Sequence, residues 1–269
     1  MRIARFTTGD DPQYGVVTGG VDGNGIPDEE CKVVALAGDP LHVGIHLSGK
    51  EHELADVRLL APVLPRSKVV GIGKNYAAHA AEMGSEVPKE PLIFIKPNTS
   101  VIGPGDPIFY PEQSNEVHYE GELGVVIGRI CKDVPKERAH DVIWGYTVGN
   151  DVTARDLQAS DGQWTRAKGF DSFCPLGPWI ETDLDPHDFA EGRSVQTHLN
   201  GDLKQDGSTR DLIFDIPTLI AHITSVMTLL PGDVILTGTP EGVGPMQVGD
   251  EVEVSIAGLG TLTNTVRAR

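Results

Sequence analysis

The apolar positions of this chain fall in short alternating runs and short continuous blocks, the pattern of strands rather than of long helices. MRIARF alternates, then breaks into TTGDDPQYGVVTGGVDGNGIPDEE, a Gly- and Asp-rich stretch that reads as short strands joined by turns. Residues 1–62 therefore read as a small N-terminal β-rich unit. ADVRLLAPVLPRSKVVGIG, with Pro62, Pro65, Arg66 and Lys68, links it to a buried strand over residues 68–72. Beyond it, NYAAHAAEM is a short helix candidate, and LIFIK and PIFY are short strands. VHYEGELGVVIGRI predicts one long strand that passes from alternating to continuously apolar, as a strand entering a core does. PKERAHDV is a helical turn and IWGYTVGND a second buried strand. Asn200-Gly201 between alternating segments predicts a type I′ hairpin. FDIPTLIAHITSVMTLL is the best helix, stopped by Pro231-Gly232. DVILTGT predicts a buried strand and EVEVSIAGLGTLTNTVRAR a closing hairpin. Strands outnumber helices without alternating regularly with them. That argues against a Rossmann or barrel fold and for a mixed α/β, β-rich fold.

Composition agrees with this picture. Among 269 residues, 32 Gly and 19 Pro with only 6% aromatics fit many tight turns. The formal charge of −17 repels nucleic acid and anionic lipid, so neither is expected as a partner. It also repels small acids, so a site for them needs local positive charge from a metal, a lysine or backbone N–H groups. Cys31, Cys131 and Cys174 are odd in number and match no zinc or redox spacing. Three reduced thiols, no apolar leader and no membrane-length run give the expectation of a cytoplasmic protein.

Several motifs fail. Asp22-Gly-Asn24-Gly25 begins like a calcium loop, but Ile26 and Val33 stand where oxygen ligands are needed, so it reads as a turn. Gly71-Ile-Gly73 begins a dinucleotide fingerprint that Tyr76 breaks. His42 and His46 lack a catalytic Glu between them and read as surface residues.

HYEGELGVVI is more informative. On a strand, Glu120 and Glu122 point to one face, with no side chain on Gly121 between them. Such a pair is either a solvated strand edge or a site for a cation. Asp151 ends an apolar strand, where a carboxylate is costly unless paired or metal-bound. Three carboxylates without His or Cys partners favour a hard cation, Mg²⁺ or Mn²⁺, with open positions for water or substrate. Lys168 is either a surface lysine or part of this site. DVILTGT followed by PEGVG is either an ordinary Gly turn or a set of backbone N–H groups for a carboxylate. His79 and Glu82, three apart on a helix, can touch, which orients the imidazole as a general base for water.

Together GIGKNYAAHAAEM, PLIFIKPNTS, HYEGELGVVIG, GYTVGNDVTARDLQ, KGFDSFCPLGPWI, LNGDLKQDGSTRDLIF and TLLPGDVILTGTPEGVGP resemble the fumarylacetoacetate hydrolase family, from about Lys68 to the C-terminus. The resemblance implies a mixed β-sandwich roll over 63–269 as the catalytic domain, and a homodimer. It implies that Glu120, Glu122 and Asp151 bind Mg²⁺ or Mn²⁺, and that Gln158 and Lys168 bind substrate with Thr239 near its carboxylate. It also implies that His79 and Glu82 sit on a lid helix. The pattern is that of the shorter, lid-bearing members, so the expected substrate is a small 2-oxo acid. The preferred reaction is oxaloacetate decarboxylation, perhaps joined by acylpyruvate C–C hydrolysis. Isomerisation or decarboxylation of 2-hydroxyhepta-2,4-diene-1,7-dioate is the alternative, and a non-catalytic metal- or metabolite-binding protein the reading from another class. The loops at 104–115, 160–164 and 204–210 are expected to choose among substrates.

Overall fold

A computed structural model describes residues 1–21, 28 and 30–269; the turn expected at 22–25 lies outside the described residues. The chain is strand-rich, with several sheets and a few helices. The largest sheet runs, edge to edge, through Leu47–Glu53, Lys32–Leu36, Gln13–Thr18, Arg2–Thr7, Cys174–Glu181, Ile143–Asn150, Gly121–Ile127, Val234–Leu236, Val69–Gly73 and Leu92–Lys96. A five-stranded sheet holds Asp202–Ser208, Ser194–Leu199, Glu251–Ile256, Gly260–Ala268 and Ile108–Tyr110. A three-stranded sheet joins Thr153–Ala154, Val117–Tyr119 and Gly244–Met246.

The core explains the layering. Val125, Ile127, Tyr146 and Val148 from the large sheet are buried with Val195, Val252, Val254 and Leu262 from the five-stranded one. The helix Ile216–Val226 adds Ile216, Leu219, Ile220 and Ile223 to the same cluster, the spacing of one helix face. Each such side chain contributes roughly 1.5–3 kcal/mol on burial. Asp215 caps this helix by accepting from the Thr218 N–H at 2.9 Å.

The helix stops at Val226, short of the expected TSVMTLL, because Leu229 exchanges two backbone hydrogen bonds with Cys131, each 3.0 Å. The hairpin at Asn200-Gly201 has φ of 53° and 83°, as a type I′ turn requires. VHYEGELGVVIGRI is not one strand: Val117–Tyr119 belongs to the three-stranded sheet and Gly121–Ile127 to the large one. Glu120 stands at the break. The N-terminal strands extend the large sheet, since Arg2 and Ile3 pair with Glu181 and Ile180. All three cysteines are free and buried. Among the described residues no helix is long and apolar enough to cross a membrane.

Candidate metal centre and substrate cavity

Strand pairing assembles the carboxylates. Gly121 lies opposite Asn150 and Glu122 opposite Gly149, so Asp151 emerges beside Glu120. The Asn150 amide oxygen accepts from the Glu120 N–H at 2.9 Å, and the Glu120 carbonyl accepts from the Asp151 N–H at 2.8 Å. Glu120 and Glu122 thus converge through a bend between two sheets, not along one strand face. Gly121 is required at that bend, because a Cβ there would lie 2.4 Å from Thr197 Oγ1. All three carboxylates are buried, and one oxygen from each lies within 4.8 Å of the other two.

Three cations surround them. Lys168 Nζ donates to Glu120 Oε2 at 2.8 Å and Asp151 Oδ2 at 2.5 Å. Lys96 Nζ donates to Asp151 Oδ1 at 2.6 Å. Arg155 Nη2 lies 2.5 Å from Glu120 Oε1, an ion pair without hydrogen-bond alignment. Burial alone would raise the proton affinity of Glu120, but Arg155 and then Lys168 outweigh it and hold the carboxyl well below its usual range. Burial likewise disfavours the Lys168 ammonium, and Asp151 and Glu120 more than reverse this. Glu122 differs. It accepts from the Gly238 N–H at 2.7 Å and forms no ion pair among the described residues. Its burial first, then Asp151 and Glu120, push its proton affinity well up. A buried carboxylate without a cation, beside two others, is the donor set a hard divalent ion fits.

Glu120 and Glu122 open onto a cavity of about 500 Å³, with Asp151 behind them. His79 and Lys168 reach it from the helices Ala77–Glu82 and Thr165–Lys168, and Thr239 from the turn after Val234–Leu236. The Glu82 carboxylate lies 3.1 Å from His79 Nδ1 and accepts from the Gly242 N–H at 3.0 Å, which ties this helix to the Gly-rich loop. The Thr239 hydroxyl is engaged, donating to the Gly121 carbonyl at 2.9 Å and accepting from Gln205 at 2.8 Å. Gln158 lines the cavity and accepts from Arg155 at 3.0 Å. Of the site residues read from the sequence, His79, Glu120, Glu122, Gln158, Lys168 and Thr239 line the cavity, Asp151 completes the carboxylate cluster, and Glu82 stands behind His79, outside the lining.

Lys96 and Arg155 carry no assigned role in the sequence reading. The only signal for Lys96 is a lysine closing the apolar strand LIFIK; for Arg155 it is proximity to Asp151. The loops expected to select substrate are mostly elsewhere. Among the described residues, Trp164 is their one contribution to the wall; the rest comes from residues 72–85, Phe94, 116–122, 155–159, Lys168 and Thr239. The reason is the parallel pairing of Leu236 with Gly71, which brings residues 72–85 beside the carboxylates.

Comparison with known proteins agrees with this architecture. The family model described as "Fumarylacetoacetate (FAA) hydrolase C-terminal" matches residues 68–267, and that described as "Rv2993c-like, N-terminal" matches 1–62. Protein Rv2993c of Mycobacterium tuberculosis is 54% identical over 99% of this chain and 98% of its own. The mitochondrial oxaloacetate tautomerase FAHD1 of Arabidopsis thaliana is 44% identical over 76% of this chain and 92% of its own. The crystal structure of 2-hydroxyhepta-2,4-diene-1,7-dioate isomerase from Mycobacterium marinum has a TM-score of 0.89 and 48% identity, covering 100% of this chain and 99% of the other. Fumarylpyruvate hydrolase from Pseudomonas aeruginosa, in complex with Mn²⁺ and pyruvate, has a TM-score of 0.71 and 33% identity, covering 78% and 98%. With one family model spanning most of its length and full-length relatives at this identity, the chain belongs to the fumarylacetoacetate hydrolase family.

Proposed function

We propose that this chain is a divalent-metal-dependent enzyme that converts small 2-oxo dicarboxylic acids through an enolate at C3, and that its reaction is decarboxylation of oxaloacetate to pyruvate, with acylpyruvate C–C hydrolysis as a second activity. The carrying observation is the buried carboxylate cluster beside a cavity that also holds Lys168 and the His79/Glu82 pair. The relative that binds Mn²⁺ and pyruvate supports both the cation and the product.

Glu120, Glu122 and Asp151 would hold Mg²⁺ or Mn²⁺, which supplies Lewis acidity to the oxygens of a 2-oxo acid. Lys168, kept charged by Glu120 and Asp151, stabilises negative charge developing on the 2-oxo oxygen. Gln158 and the turn at Thr239 orient the adjacent carboxylate. In decarboxylation the C3–C4 bond breaks, CO₂ leaves, and the electron pair enters the enolate. His79 Nε2 then takes a proton from a water molecule and passes it to C3, completing pyruvate and leaving hydroxide to combine with CO₂ or solvent protons. With Nδ1–H directed at Glu82, its Nε2 carries the exchangeable lone pair. In acylpyruvate cleavage the same Nε2 takes a proton from water as the oxygen attacks the distal carbonyl; the C3–C4 bond then breaks, the acyl part leaves as a carboxylic acid, and the enolate takes the proton back from His79 at C3. Phe94 and Trp164, whose rings meet edge to face at 5.4 Å, give the cavity an apolar wall.

A second reading, tautomerisation or isomerisation through the same enolate, is favoured by the names of the Arabidopsis and M. marinum relatives. Pyruvate release and enol–keto conversion, measured separately on oxaloacetate with Mg²⁺ or Mn²⁺, decide between them. Rapid pyruvate release supports decarboxylation. Accelerated enol–keto conversion without pyruvate, or turnover of a dienedioate alone, overturns it.

A further inference from the structure

Lys74, Arg155 and Lys168 are the lysine and arginine side chains on the cavity wall, and two of them are engaged. Lys168 pairs with Glu120 and Asp151; Arg155 lies against Glu120 and donates to Gln158. Lys74 is half-buried and, among the described residues, has no carboxylate within ion-pair distance and no side-chain hydrogen bond. The inner cluster is balanced without it: Glu120, Glu122 and Asp151 face Lys96, Lys168 and Arg155. The remaining carboxylate of the wall, Glu116, lies against His118, so among the described residues Lys74 is the wall cation with no anionic partner.

Its backbone is a second, independent sign. Lys74 has φ 57°, in the left-handed region where glycine or asparagine costs less than lysine. It turns the chain out of the strand Val69–Gly73 towards the helix Ala77–Glu82. A lysine in a conformation that favours glycine points to use of its side chain. Apolar groups stand beside it: Trp164 covers the neighbouring Gly73 so closely that a Cβ there would lie 2.6 Å from the indole. Ile72, Met83 and Phe94 line the same cavity. A carboxylate that reaches this ammonium forms a charge-assisted hydrogen bond, stronger than a neutral one.

We propose that Lys74 determines specificity by receiving the distal carboxylate of a dicarboxylic 2-oxo acid whose 2-oxo end lies at Glu120, Glu122 and Asp151. This rests on the functional reading above. The volume of about 500 Å³ has room for a chain between the two ends.

The test compares kcat/KM of the metal-loaded enzyme on fumarylpyruvate, which carries a distal carboxylate, and on acetylpyruvate, which does not. Lys74→Met should lower the ratio of the two roughly 10- to 100-fold, the size of one charge-assisted hydrogen bond, mainly through KM for fumarylpyruvate. Lys74→Arg should retain most of the ratio. Lys74→Gly, which relaxes the left-handed backbone, should lose the ratio while melting no lower than wild type, so the loss is not unfolding. A wild-type ratio in Lys74→Met overturns this inference and leaves the functional reading standing. A wild-type enzyme inactive on every 2-oxo acid overturns both.

Discussion

The Lys96 ammonium lies 2.6 Å from the Asp151 carboxylate, and both groups are almost wholly withdrawn from water. Lys96 closes the strand Leu92–Lys96 and its Nζ also lies 3.3 Å from the Val152 carbonyl. It therefore pins the segment that carries one of the three carboxylates. Lys96→Met keeps the length of the stem and removes the charge, leaving Asp151 with Lys168 alone. Breaking a buried pair costs about 3–5 kcal/mol, and the remaining partner keeps the loss near the lower end. At about 2–4 °C per kcal/mol for a chain of this size, a fall of roughly 6–12 °C in Tm is expected. Saturating Mn²⁺ should recover more of it than wild type gains, because the uncompensated carboxylate binds a cation more tightly. A variant that melts with wild type assigns Lys96 no such role.

Glu122 makes the opposite prediction. Among the described residues its one hydrogen-bond partner is the Gly238 N–H, and its charge is opposed by burial, Asp151 and Glu120. Glu122→Gln removes that charge, so in chelator the variant should melt at or above wild type. Mn²⁺ or Mg²⁺ at a hundredfold excess over Kd should stabilise wild type by about 2.7 kcal/mol and the variant hardly at all. Differential scanning calorimetry with and without metal reads both. A full metal shift in Glu122→Gln would remove this carboxylate from the ligand set.

Much of the site was legible because it rests on local rules. Asp151 stands out as a carboxylate ending the apolar run IWGYTVG, and the buried strand Ile143–Asn150 ends one residue before it. The Glu120/Glu122 spacing was informative for a partly different reason than strand periodicity, since the chain changes sheets at Glu120. The unread parts depend on distant partners. Lys96 looks like a lysine at the end of a strand, and only Asp151, 55 residues away, makes it part of the cluster. Cys174–Glu181 contains Pro175 and Pro178, which obscure a strand signal. Yet it joins the N-terminal strands to the rest of the large sheet.

Asp156 gives a pH-dependent prediction. It sits in the first turn of the helix Arg155–Asp161 and accepts from Ser114 Oγ at 2.6 Å, the Asn115 N–H at 2.8 Å and the Leu157 N–H at 2.9 Å. Burial alone would raise its pKa; these donors outweigh it and lower it. A lowered folded-state value means stability that is present above the ordinary aspartate range and lost as pH falls through the folded value. The gap in Tm between wild type and Asp156→Asn should therefore be widest above about pH 4 and close as the solution is acidified. A gap that stays constant from neutral pH to pH 3 would show that the charge of Asp156 is irrelevant.

His79 and Glu82 separate proton transfer from metal binding. The pair is joined at 3.1 Å, and Glu82 is further held by the Gly242 N–H, so the imidazole is aimed before substrate arrives. Neither residue belongs to the carboxylate cluster. His79→Ala should lower acylpyruvate hydrolysis by about 10²–10⁴-fold, the usual contribution of a positioned general base. The thermal shift given by Mn²⁺ should be unchanged, because the ligands are intact. Glu82→Gln keeps a hydrogen-bond acceptor for the ring and should cost less, on the order of tenfold, with the loss in kcat rather than KM. Turnover of acetylpyruvate at wild-type rate by His79→Ala would exclude His79 as the base. The water proton would then have to leave through another cavity residue.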